Sequence, residues 1–196
     1  MKGLIAFLVG AGSICALGCG ASPEPAIAEN VVDQPKEAGL VPALLDRPFT
    51  AEQIRDEWVE GFQLRVRRWT EDAEIVERWT VVRTDADGVD IESVVLDESG
   101  SLAGEANVQT SSWVQLRDHA SFPADRATRE AVSRETPLGE LQGWLYSVTD
   151  GKSGTVTEFF FAEALPGAPV FVHVLRDGEI VEIFEQVKRH RPTDGE

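Results

Sequence analysis

Apolar and polar positions along this chain first follow a helical period and then a period of two. Between Phe49 and Gly61, Ile54 and Trp58 lie four residues apart with Ala51 and Val59 beside them, while Glu52, Arg55, Asp56 and Glu60 fall on the opposite side. Thr50 is placed as the N-cap, Gln53 completes a capping box, and Phe49 and Ile54 have the spacing of a hydrophobic staple. The pattern predicts a helix from Thr50 to about Glu60, stopped by Gly61. From Phe62 onward, Phe62, Leu64 and Val66 alternate with Gln63, Arg65 and Arg67, which predicts a strand. A second strand runs from Ile75 to Arg83 after a turn near Glu71 to Ala73, and a third from Val89 to Leu96. Asp87-Gly88 predicts a tight hairpin between them, with the glycine at positive φ.

The middle of the chain is less periodic. Ser111-Ser112-Trp113-Val114-Gln115-Leu116 predicts a short helix, with Trp113 and Leu116 inward, before the break at Phe122-Pro123. Ala131 to Glu135 and Leu141 to Val148 read as strands around the Thr136-Pro137-Leu138-Gly139 turn. Residues 155–162, 169–176 and 179–188 give three more, joined by Leu165-Pro166-Gly167-Ala168-Pro169 and by Asp177-Gly178. Phe159, Phe160 and Phe161 are consecutive, and Val170 to Leu175 puts apolar groups on both faces, so these late strands should be covered on both sides. The first helix can cover one face; the other falls to residues 100–130, a partner or an apolar ligand. The expected fold class is α+β: a curved antiparallel meander of about eight strands, half-barrel-like, packed on an N-terminal helix and a short second helix.

An opening helix, a long meander, a Pro137-x-Gly139 hairpin before Trp144-Leu145-Tyr146, and the Leu165 to Val170 turn together resemble the LolA-like envelope proteins over residues 49–188. That resemblance implies an incomplete, strongly curved barrel with helices in its concavity, and in many members acyl chains or lipoproteins held there. It carries over no functional residue.

The first residues carry an address. Lys2 precedes an apolar stretch from Leu4 to Leu17, and Gly18 stands just before Cys19, an order that resembles a bacterial lipoprotein signal peptide. Ala16 and Leu17 are swapped relative to the usual lipobox. The stretch is too short and too glycine-broken for a membrane span, which needs about 20 continuous apolar residues. Residues 1–18 are therefore read as a signal peptide and Cys19 as the lipid attachment site, giving a partner in the membrane and a place in the cell envelope, at the outer membrane. The alternative is cleavage after Ala21 and release as a soluble periplasmic or secreted protein. Residues 19–48, with Pro23, Pro25, Pro35, Pro42 and Pro48, read as a tether. Residues 49–188 form one domain and 189–196 a polar tail.

Charge and cysteine use then narrow the chemistry. Removal of residues 1–18 takes one lysine and no acid, leaving a formal net charge of −17 that argues against nucleic acid as a partner. Cys15 leaves with the signal and Cys19 is acylated, so the domain has no thiol for a disulfide, a metal or catalysis. His119, His173 and His190 lack metal-ligand spacing, and neither a metal nor another cofactor is expected. Gly151-Lys152-Ser153 joins two strands and is read as a hairpin loop, not a phosphate loop. Asp118, His119 and Ser121 lie too close in sequence for a triad, and no G-x-S-x-G elbow is present. Arg65, Arg67 and Arg68 form the one basic cluster, with Glu74 and Glu77 expected opposite them as sheet ion pairs.

No catalytic residue is assigned. The leading reading is a non-enzymatic envelope lipoprotein whose domain binds a hydrophobic ligand, such as a lipid or acyl chain, or a protein partner. Trp113, Trp144, Phe159 and Phe161 are the candidate lining of its groove. The alternative is an interaction lipoprotein with a filled core and no pocket; a hydrolase comes third.

Overall fold

The computed structural model describes residues 42–192. The segments read above as a signal peptide and, up to residue 41, a tether, with Cys19 between them, lie outside the described residues, as does the end of the polar tail from residue 193. Nine strands and two helices follow one another as α1 (Ala51–Glu57), β1 (Gln63–Thr70), β2 (Glu74–Thr84), β3 (Gly88–Leu96), β4 (Asn107–Ser112), α2 (Trp113–Asp118), β5 (Ala127–Thr136), β6 (Gly139–Thr149), β7 (Val156–Ala162), β8 (Phe171–Arg176) and β9 (Glu179–His190). All strands pair antiparallel in one sheet of order β4-β3-β2-β1-β9-β8-β7-β6-β5. It is an α+β fold built on an open antiparallel meander. Two consecutive meanders, β1–β4 and β5–β9, are zipped together where β1 meets β9.

Both helices form for the reason the sequence gives. Thr50 accepts from Gln53 N at 3.2 Å while the Gln53 side chain accepts from Thr50 N at 2.8 Å. Ser112 and Gln115 repeat the device on α2. α1 ends at Glu57 with Trp58 as C-cap, one turn short of Glu60, because Trp58 turns inward to donate its indole N–H to Pro166 O at 3.0 Å. Thr50→Ala removes the cap and should cost about 1 kcal/mol of unfolding free energy in urea titrations; an unchanged midpoint would show that α1 is held by packing alone.

The β2–β3 connection departs from expectation. Gly88 does not adopt positive φ. Instead the Asp85 carboxylate accepts from both Asp87 N and Gly88 N at 2.9 Å, which holds its pKa below the usual carboxylate range. Glycine is needed there for closeness: a Cβ would stand 2.4 Å from Ser111 O of β4. The last hairpin does use positive φ, at Asp177 and Gly178, as a type I′ turn requires.

Strand β4 brings the total above the expected eight; Asn-Val-Gln-Thr-Ser-Ser shows too little apolar alternation to announce it. The helices share one face of the sheet. On it Phe49, entering α1, meets Phe161, and Phe122, after α2, meets Tyr146 and Phe159 at ring separations of 4.8 and 4.9 Å. The opposite face of the late strands is covered by the chain itself, where Leu145, Phe160 and Phe171 pack with Leu138 and Leu165 from two loops. The domain's ends are also tied down. Leu45 N donates to Phe122 O and the Tyr146 hydroxyl to Asp46 O, upstream of Phe49. Beyond position 188, β9 continues to His190, and Arg189 donates to Glu57 Oε1 of α1 at 2.9 Å while lying over the Phe62 ring.

Candidate functional site

Among the described residues thirteen helical positions face nine strands, and side-chain exposure shows where their cover stops. On the helix-bearing face of β2, Val81 is 2% exposed, while Ile75, six residues along the same strand face, is 41% exposed. On β3 the same change runs from Ile91 at 3% to Val95 at 40%. Between these lie Trp79, Glu77, Arg68 and Phe184. Cross-strand pairing places them side by side: Arg68 opposite both Ile75 and Phe184, and Glu77 opposite Val95.

Polar groups within this patch are organised. Trp79 Nε1 donates to Glu77 Oε2 at 2.9 Å, and Arg68 lies 3.6 Å from Glu77 Oε1. The Trp79 and Phe184 rings are 5.7 Å apart. Glu182, two residues before Phe184 on the same strand face and opposite Val174, is half-buried. Burial pushes its pKa up, against a smaller opposing pull from Arg68, and Glu182 takes part in no ion pair among the described residues. The patch therefore exposes Ile75 and Val95 around a buried Trp79 and a half-buried Phe184, and holds one ion pair and one half-buried carboxylate that takes part in none.

The four aromatic candidates stand elsewhere. Phe159 and Phe161 are buried in the aromatic cluster with Phe49, Phe122 and Tyr146. Trp113 is buried apart from them, its Nε1 donating to Asp85 O at 3.0 Å. Trp144 is half-exposed, with the Arg129 guanidinium 3.7 Å above its ring. Phe159 and Phe161 come together, and Trp144 lies beside Phe161 across the β6–β7 pair. Ile75, Val95, Phe184 and Glu182 were missed. Their signal was the apolar alternation of β2 and β9 set against the small amount of helix available to cover it.

The other polar groups singled out in the sequence lie outside this patch. Asp118 pairs with Arg117 and Arg47, and Ser121 Oγ accepts from Arg47. Desolvation lowers the pKa of His173, opposed by Glu185 and Glu158; its Nε2 is 3.7 Å from Glu185, too long for a hydrogen bond, and its ring stacks on Phe171. Gly151-Lys152-Ser153 forms the β6–β7 turn on the Asp150 carboxylate. Among the described residues no group of three or more His, Cys, Asp or Glu side chains could hold a metal.

The class this architecture defines is an open antiparallel sheet with its helices on one face. Within that class the chain is similar to MucB, with a TM-score of 0.51 at 14% identity over 72% of this chain and 57% of MucB. The MucA/MucB complex of Pseudomonas aeruginosa gives 0.49 at 17% identity over 74% and 56% of the two chains. MucB in complex with MucA(peri) gives 0.48 at 14% over 71% and 55%. The chain spans little more than half the length of these proteins. No family model and no curated protein matches it.

Proposed function

We propose that this chain is a non-enzymatic lipoprotein of the cell envelope, anchored through Cys19, whose domain binds a protein partner on the helix-free half of its inner sheet face. The carrying observation is the exposed pair Ile75 and Val95 flanking Trp79 and Phe184, with Glu182 half-buried beside them. An acyl chain laid there would desolvate Glu182 and the Arg68–Glu77 pair and return no hydrogen bond, a costly exchange. A protein segment with apolar residues and one Lys or Arg supplies both area and countercharge. MucB, similar in fold, is a protein that has been solved with MucA, which accords with a partner-binding role. The half-barrel resemblance to LolA-like proteins supports the lipid alternative, in which Trp144, Phe159 and Phe161 line the groove after displacement of Phe49 and Phe122.

The test places a photo-crosslinking residue at Ile75 or Val95 of the lipidated chain in its own cell. A discrete protein adduct at both positions is expected, reduced about tenfold by Glu182→Lys, the size of a lost partly buried charge pair. Native mass spectrometry of the same protein extracted without adduct provides the second arm. Excess mass matching phospholipid, with no protein adduct at either position, would replace the protein partner by a lipid. A bare mass with no adduct would favour the filled-core alternative. Radiolabelled palmitate should be incorporated and lost with Cys19→Ala; incorporation surviving that change would remove the anchor.

A further inference from the structure

On the sheet face away from the helices, the register lines up three cations. Arg65 of β1 stands opposite Arg78 of β2 on one side and Lys188 of β9 on the other, so the three share one row across three strands, about 10 Å from end to end at ordinary strand spacing. Like charges placed directly opposite destabilise a sheet. Nothing among the described residues relieves them: Arg65, Arg78 and Lys188 take part in none of the ion pairs there, and Arg78 Nε is shielded from solvent with no hydrogen-bond partner. The adjacent cations differ, Arg67 pairing with Glu185 and Arg68 with Glu77. The acids expected to neutralise this cluster are thus consumed by Arg68 or lie elsewhere, Glu74 being opposite Trp69. The loop after β3 forms a rim, since a Cβ on Gly100 would be 3.9 Å from both terminal nitrogens of Arg65.

We propose that this row is a binding site for a phosphate-type oxyanion. Two guanidinium groups and an ammonium on three neighbouring strands offer donors along one row, and guanidinium matches the edge of a tetrahedral oxyanion with paired N–H bonds. The net negative charge of the chain does not forbid this, because charges beyond about 8 Å are largely screened at physiological salt. Two acids lie one position beyond the row on the same face, Glu185 opposite Arg67, with which it pairs, and Glu92 opposite Thr80. The site lies on the face opposite the partner patch and stands independently of it. Free phosphate and the phosphate of an anionic lipid headgroup share this chemistry.

The experiment uses the mature chain with Cys19→Ala, isotopically labelled, titrated with inorganic phosphate at constant ionic strength. Saturable shifts of the Arg65 and Arg78 Nε–H resonances with millimolar affinity are expected; in Arg78→Met, followed at Arg65, the affinity should fall at least tenfold. Lys188→Gln, at an exposed position that leaves folding intact, should weaken it severalfold, and Arg83→Gln should leave it unchanged. Co-sedimentation with phosphatidylglycerol and phosphatidylcholine vesicles separates the sources. Retention on the former alone, lost in Lys188→Gln, assigns a headgroup; phosphate binding without retention assigns the free anion. An Arg78 resonance unmoved by phosphate, or variants that bind as the parent does, would overturn the site.

Discussion

Gly143→Ala is expected to destabilise the domain by about 3 kcal/mol, lowering Tm by about 10 °C. Gly143 lies inside β6 opposite Ala162, where a Cβ would sit 2.0 Å from Phe161 O and 2.7 Å from Ala162 Cα. Both are backbone atoms, so no rotamer change relieves the clash and the β6–β7 pair must part. That pair carries Trp144 beside Phe161, Leu145 beside Phe160 and Tyr146 beside Phe159, which are the roots of both apolar clusters. Separation therefore loosens packing on the two faces together. Gly151→Ala is the matched control, because an added Cβ meets nothing within 4 Å and the residue has no positive φ. Thermal unfolding followed by near-ultraviolet circular dichroism reads both; a Gly143→Ala midpoint within 2 °C of the parent, about a fifth of the expected shift, would mean that the strands accommodate the methyl group.

What could be read from the sequence was local. Thr50 and Gln53, Ser112 and Gln115, and Asp177-Gly178 set their own geometry within four residues, and each forms as the pattern predicts. The β1–β9 pairing was not legible, since it joins residues more than a hundred positions apart and neither strand announces its neighbour. Gly88 and Gly143 illustrate the same limit. Their residue type is dictated by Ser111 O and Phe161 O across the sheet, which no local turn chemistry encodes. The candidate site follows this division. Size and hydrophobicity mark an aromatic residue in sequence, but not whether it is covered: Phe159 and Phe161 are enclosed by Phe122 and Phe49, which arrive from outside the sheet. The open patch is defined by what fails to cover it, a property of helix placement. Likewise Arg65 faces Arg78 because of register alone; a shift of two residues would have set Arg78 against Arg67 or Gln63.

Gln186→Leu should be nearly as damaging as Gly143→Ala, for a polar reason. Gln186 is fully buried on β9 at the seam between the two meanders, opposite Val66. Its Nε2 donates to Ala168 O at 3.1 Å and Pro169 O at 3.0 Å, and its backbone N–H donates to Val170 O at 2.8 Å. The side chain thus ties the β7–β8 loop to the seam, and on that loop Pro166 O receives the Trp58 indole and a bond from Arg189. Leucine fills similar volume but leaves two carbonyls without a donor, at a cost of about 1–3 kcal/mol each, offset in part by its own apolar transfer. A net loss of about 3 kcal/mol is expected in urea unfolding, together with faster amide hydrogen exchange at Val170 and Trp58. Gln186→Glu should be worse, since it turns a carboxylate toward the same two oxygens. If leucine were tolerated within about 0.5 kcal/mol, the range of an ordinary surface substitution, the loop would be held by Trp58 and Arg189 without help from the Gln186 amide.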